Sequence, residues 1–211
     1  MFGNTYEPTT FDELIFEDDN TRKTLAEYAA GRRAGNILLH GPYGSAKSTV
    51  ARMIANESRT CADANFDFGV DILNGAELES KRLPHIKRNW LLSGQKYAYA
   101  VIDEFDLVGN QKQSDVRMLM DDQGGKNGFI FTTNHLHRID GAIESRCHVL
   151  KLPQLSPKAL LPLCKRILVG EAITLADQDI LKAIDHEKGD LRRVLRQLEH
   201  IVQEVRQRTA A

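Results

Sequence analysis

The sequence predicts an α/β fold, a parallel sheet flanked by helices, followed by a small all-helical domain. Three observations carry this expectation. The buried apolar run Asn36-Ile-Leu-Leu-His40 passes through a loop of small residues into a helical pattern that starts at about Thr49. The run Tyr97-Ala-Tyr-Ala-Val-Ile102 ends in Asp103-Glu104 and reads as a central strand delivering two carboxylates at its C-terminal end. After Pro153 the pattern is helical throughout, so domains are placed at 1–153 and 154–211.

The chain is long enough, at 211 residues, for one substantial domain and a small second one. No apolar run approaches the roughly 18 residues of a membrane span, and Met1-Phe-Gly-Asn-Thr5 lacks the features of a secretory leader. Cys61, Cys147 and Cys164 match no zinc spacing and read as reduced thiols, so a cytoplasmic protein is expected. A net charge of −1 argues against a protein that coats nucleic acid with general basicity, while leaving room for a local basic surface.

In chain order, Tyr6-Glu-Pro8 is an extended strap, with Thr10 and Glu13 forming a capping box for a short helix. The strap either simply enters that helix or walls an adenine pocket with Tyr6 and Pro8. Leu25, Tyr28 and Ala29 recur at helical spacing between Asn20 and Ala30. Phe66 to Leu73 reads as a second strand. Asn74-Gly-Ala-Glu77 turns into a helical stretch that Pro84 interrupts, ahead of a separate helix from His85 to Leu92. Lys81, Arg82, Lys87 and Arg88 there form either a solvated face or a surface that tracks a DNA backbone. Gln111 to Asp122 is helical, Gly124 to Gly128 a turn, and Phe129 to Thr133 a buried strand that ends at Asn134. His135 to Ile143 is expected as a crossover helix and His148 to Leu152 as the last strand. Asp106 is expected to cap a helix or loop. Three helices follow, at about 157–168, 176–187 and 190–207.

The loop Gly41-Pro-Tyr-Gly-Ser-Ala-Lys-Ser-Thr49 is a phosphate-binding arrangement. Pro42, Tyr43, Gly44 and Ser45 lie in a loop whose backbone N–H groups wrap phosphate oxygens, and the helix N-terminus adds partial positive charge. Lys47 is placed on the β- and γ-phosphates and Ser48 on Mg²⁺. Asp103 holds the same ion through water, and Glu104 orients the attacking water. ATP and Mg²⁺ are therefore the expected cofactors. Ala46 stands where a second glycine is usual, and its cost depends on whether the position needs a positive φ. Asn134, at the tip of the strand beside the acids, either contacts the γ-phosphate or the lytic water or simply starts the loop. Arg192, beside Asp190 at the start of the last helix, is placed to swing toward the phosphates.

These residues resemble the AAA+ branch of the P-loop NTPases and, within it, the small subunits of sliding-clamp loaders, over about Tyr6 to Leu198. Asp103-Glu-Phe-Asp106 resembles a Walker B motif, Asn134 sensor 1, and Gly189-Asp-Leu-Arg192 sensor 2 of the lid. Glu144-Ser-Arg-Cys147 contains the Ser-Arg-Cys signature, which implies that Arg146 reaches into a neighbouring subunit's ATP site as an arginine finger. The resemblance implies an ATPase acting on DNA-bound assemblies, with related subunits, DNA and a sliding clamp as partners. Glu7 replaces the strap's usual arginine, and the family's C-terminal collar is expected to be missing. A helicase loader or filament-forming regulator is the alternative, and a non-hydrolysing nucleotide-gated scaffold a second.

Overall fold

The computed structural model describes residues 2–58, 70–92, 98–122 and 127–210. Cys61, the first half of the expected strand from Phe66 and most of the turn at Gly124 lie outside them. The chain divides into two compact units, one of residues 19–41 and 47–152, the other of residues 1–18, 42–46 and 153–211.

The first unit is a five-stranded sheet: β1 (Asn36–His40), β2 (Asp71–Asn74), β3 (Ala98–Asp103), β4 (Asn127–Thr133) and β5 (Cys147–Lys151). Its spatial order is β2-β3-β4-β1-β5, and every pairing is parallel. Apolar runs without alternation mark strands covered on both faces, as for Ile37, Leu38 and Leu39, which are wholly buried. The register pairs His40 with Thr133, Ile102 with Phe131, and Asn74 with Asp103. The C-terminal ends of four strands therefore stand level, where ligands of open α/β sheets bind. Helix α2 (Asp19–Ala29) precedes β1, and the crossovers run through α3 (Lys47–Glu57), α4 (Arg82–Leu92), α5 (Asn110–Asp122) and the short α6 (Gly141–Glu144).

Phe105, Phe129 and Phe131 stack through the core, with neighbouring ring centroids 4.3 and 5.3 Å apart, and Trp90 of α4 meets Phe129 edge-on. Gln113 of α5 is buried with its amide satisfied. It donates to the carbonyls of Val108 and Arg138 at 2.9 and 3.1 Å and accepts from Asp140 N at 2.8 Å.

Two expectations for this unit are corrected. Pro84 does not interrupt a helix: it lies in the first turn of α4, where the missing N–H has no partner to lose. His135 to Ile143 is not one helix but a 3₁₀ turn (Leu136–Arg138) followed by α6, whose start Asp140 caps by accepting from Ala142 N at 2.8 Å.

The second unit holds α7 (Pro157–Gly170), α8 (Asp177–Asp185) and α9 (Leu191–Ala210). Ser156 caps α7 ahead of Pro157 and accepts from Ala159 N at 3.2 Å. Leu160, Ile167, Ile180, Ile184, Val194 and Leu198 form its core. The N-terminal strap, expected with the sheet, packs here instead, because Phe2, Tyr6 and Ile15 find their apolar partners in this core. A short helix, α1 (Phe2–Thr5), precedes the strap, and Glu13 ion-pairs with Arg166 at 3.9 Å. The expected capping box is shifted by one residue: Thr10 makes no side-chain cap, and Glu13 accepts from Thr9 N at 2.6 Å. Among the described residues no helix is long and apolar enough to cross a membrane.

Candidate nucleotide site

The phosphate loop leaves β1 at Gly41, whose N–H donates to Thr133 O at 3.3 Å, and enters α3 at Lys47. Lys47 is only 7% exposed, and its ammonium donates to Gly41 O at 2.9 Å across the loop. A carbonyl is a neutral acceptor, so this bond anchors the side chain across the loop without neutralising an ammonium. Ser48 Oγ donates to Asp103 Oδ1 at 2.7 Å, and Thr132 Oγ1 donates to the same oxygen. A hydroxyl and one carboxylate at the level of the loop suit Mg²⁺, which takes few protein oxygens and keeps most of its water. The donor set fits ATP with its cation.

Ala46 sits at φ 60°, so the position does require the left-handed region, and an alanine occupies it under strain. Gly44 has φ 74°, and a Cβ there would fall 2.2 Å from Asp190 Oδ1. In the same unit Leu191 N donates to Gly44 O at 3.1 Å. Ser45 is buried and donates to Pro42 O at 2.9 Å, Tyr43 is exposed, and Thr49 is half-buried on α3.

Glu104 is also left-handed, at φ 54°, and its N–H donates to Thr132 Oγ1 at 3.1 Å. Its carboxylate accepts from Asn74 Nδ2 at 3.3 Å, while Asn74 Oδ1 accepts from Ala76 N at 2.9 Å. The register of Asn74 with Asp103 brings this pair together. Gly75 is the residue that permits it, since a Cβ there would lie 2.4 Å from Glu104 O. The side-chain role of Asn74 was not anticipated; its place at the end of a strand beside the acids is the signal that points to it.

Asp106, expected as a helix or loop cap, instead ties the end of β4. It accepts from Thr133 Oγ1 at 2.8 Å and Asn134 N at 3.4 Å, because the turn after β3 runs beside the β4 terminus. Asn134 is thereby fixed at that terminus, next to the site's acids.

Arg146 lies just before β5 and is gripped within its own chain, donating from Nε and Nη2 to Asp121 at 2.6 and 3.2 Å. Its Nη1 donates to Ala142 O at 2.7 Å. The Asp121 bond raises the guanidinium's pKa and holds the Asp121 carboxyl below the usual range. In the second unit, Asp190 Oδ1 accepts from Arg192 N at 3.0 Å and Arg193 N at 3.3 Å, capping α9 and leaving the Arg192 residue exposed. Tyr6 is held in its unit's core with its hydroxyl donating to Glu171 Oε1 at 2.8 Å, and Pro8 is half-buried.

Of the four cations considered for DNA, three meet acids: Lys81 with Glu79 at 2.6 Å, Arg82 with Asp71 at 3.9 Å, and Lys87 with Asp122. Arg88 lies 3.4 Å from His85. Burial pushes the Cys147 and Cys164 thiols up to about 12 and about 11, which makes them poor nucleophiles.

Comparison with known proteins fits this geometry. The chain is 24% identical over 196 residues to "Replication factor C small subunit 1" of Pyrobaculum arsenaticum, covering 92% of this chain and 59% of that protein. It is 23% identical over 198 residues to "Replication factor C small subunit" of Staphylothermus marinus, covering 92% and 60%. A protein of the same name from Thermofilum pendens is 22% identical over 201 residues, covering 94% and 62%. The chain thus spans about three-fifths of the length of these curated relatives. The family model described as "ATPase family associated with various cellular activities (AAA)" matches residues 37–153, which take in the phosphate loop and all of the sheet but Asn36. Matched over more than half its length and carrying that loop on a parallel sheet, the chain belongs to the AAA family.

Proposed function

We propose that the chain hydrolyses ATP with Mg²⁺ and couples the turnover to an assembly on DNA, in the manner of a clamp loader. The observation that carries this reading is the Ser48–Asp103 bond beside the buried Lys47, with Glu104 held ready by Asn74. Bound ATP supplies the phosphoanhydride, and a magnesium ion, when bound, would supply positive charge to its oxygens. Lys47 and the loop N–H groups bind the β- and γ-phosphates. Ser48 and Asp103 would hold that cation. Glu104, once released by Asn74, orients the water that attacks the γ-phosphorus. Asn134 and Arg192 report the γ-phosphate to the sheet and to the helical unit. Tyr6 and Pro8 line the adenine side.

Arg146 completes a neighbouring subunit's site, so hydrolysis belongs to the interface. An arginine finger is worth roughly 10³–10⁵ in rate, so an isolated protomer turns over slowly. The relatives are named small subunits of replication factor C, which supports a place beside like subunits in replication; DNA with a sliding clamp is the client this reading takes. Local pairing of Lys81, Arg82 and Lys87 with acids supports a solvated face there and a small share in DNA contact.

The test is steady-state hydrolysis against protein concentration, with and without a sliding clamp and primer-template DNA, for wild type and Arg146→Ala. The expected result is a rate that rises faster than linearly with concentration, is stimulated by clamp plus primed DNA, and collapses in the variant. Fast turnover, linear down to the monomer and indifferent to Arg146, overturns the interface reading. Stimulation by a helicase instead of a clamp moves the client to helicase loading.

A further inference from the structure

We propose that Asp121 is the positioning residue for Arg146, presenting its guanidinium to the neighbouring site in a fixed pose. The inference rests on the reading of Arg146 as an in-trans group. Asp121 is the penultimate residue of α5, and Arg146 follows α6. The two come together in a side-on, two-point bond, Nε to Oδ1 at 2.6 Å and Nη2 to Oδ2 at 3.2 Å. A third anchor, Nη1 to the Ala142 carbonyl at 2.7 Å, closes the other edge.

A guanidinium carries five N–H donors, and these bonds use three of them. One N–H remains on Nη1 and one on Nη2, enough to meet a phosphate while both anchors hold. The pair therefore orients the finger and does not withhold it. Arginine is among the side chains with most rotamer freedom to lose, and freezing it before docking removes that cost from the transition state. The adjacent acid cannot substitute, because Asp122 is paired with Lys87. Both members are partly exposed, Arg146 at 36% and Asp121 at 54%, as an in-trans group must be.

The experiment measures kcat and KM for ATP in the nucleotide-assembled oligomer for wild type, Arg146→Ala, Asp121→Ala and Asp121→Glu. Ordering one such side chain corresponds to roughly a 3- to 10-fold loss of kcat in Asp121→Ala, with KM unchanged and Asp121→Glu closer to wild type. The loss lies in the partner's site, so mixing Asp121→Ala with Lys47→Ala subunits, which donate an intact finger, restores turnover per competent site. A slow Asp121→Ala that mixing does not restore is damaged in its own site, and the proposal falls. An Asp121→Ala rate equal to or above wild type, with Arg146→Ala slow, also overturns it and marks the pair as a restraint. A wild-type rate in Arg146→Ala instead removes the finger itself.

Discussion

Ala46 gives the most exact energetic expectation, because the same backbone conformation recurs outside the loop. At φ 60° an L-residue carries a strain of about 1–2 kcal/mol that glycine does not. Ala46→Gly removes it and returns about 0.5–1 kcal/mol through the greater freedom of glycine in the unfolded chain. The net gain is about 0.5–1 kcal/mol, a rise in Tm of about 1–4 °C for a chain of 211 residues. Ala172, just beyond α7, has the same φ of 60° and no place in the nucleotide site, so Ala172→Gly serves as the control. Calorimetric unfolding without nucleotide measures both. Similar gains are expected, with nucleotide affinity unaffected at Ala172. A rise at Ala172 with a fall at Ala46 refutes the reasoning, since the Ala46 methyl would then be contributing more by packing than its strain removes.

Three further outcomes follow from the site. Asn74→Ala frees the Glu104 carboxylate; the basal hydrolysis rate rises about three- to tenfold, the equivalent of one hydrogen bond, and a fall in turnover contradicts the holding role. Thr133→Val leaves the shape of a wholly buried side chain but takes a donor from Asp106, costing about 1 kcal/mol in urea unfolding; an unchanged midpoint shows that Asn134 N alone satisfies the acid. Burial lowers the pKa of His148, which lies 3.2 Å from the Tyr28 hydroxyl, and also of His40. The unfolded chain then binds more protons than the folded one below the ordinary value of about 6.5, so stability falls as pH drops through that value and levels off below the depressed folded pKa. His148→Gln flattens part of the Tm slope between pH 7.5 and 5.5, and an unchanged slope removes His148 from the account.

The candidate site was legible where one short segment fixes its geometry. The loop from Gly41 to Thr49 and the strand ending at Asp103 belong to this kind, since backbone approach and strand burial each leave a local trace. Contacts set by register left no such trace. Asn74 meets Glu104 only because β2 aligns Asn74 with Asp103, and Asp121 reaches Arg146 across 25 residues of chain. Pro84 misled because proline breaks a helix only past the first turn, and the sequence does not say where that turn begins. The strap's placement with the sheet misled for another reason: Phe2 and Tyr6 are apolar enough to be claimed by a core assembled far along the chain, which no local pattern announces.

That last arrangement has a bearing on synthesis. The unit holding the first eighteen residues cannot close until residues from 153 onward exist, because α7 and α9 supply the partners of Phe2 and Tyr6. Residues 19–152 are made in the interval, which at about 5–20 residues per second is on the order of ten seconds. Through that time an apolar N-terminal segment trails a folding sheet with nowhere of its own to settle. A nascent chain stalled before α9 should therefore offer Phe2, Tyr6 and Ile15 to chaperones while its sheet is already protected.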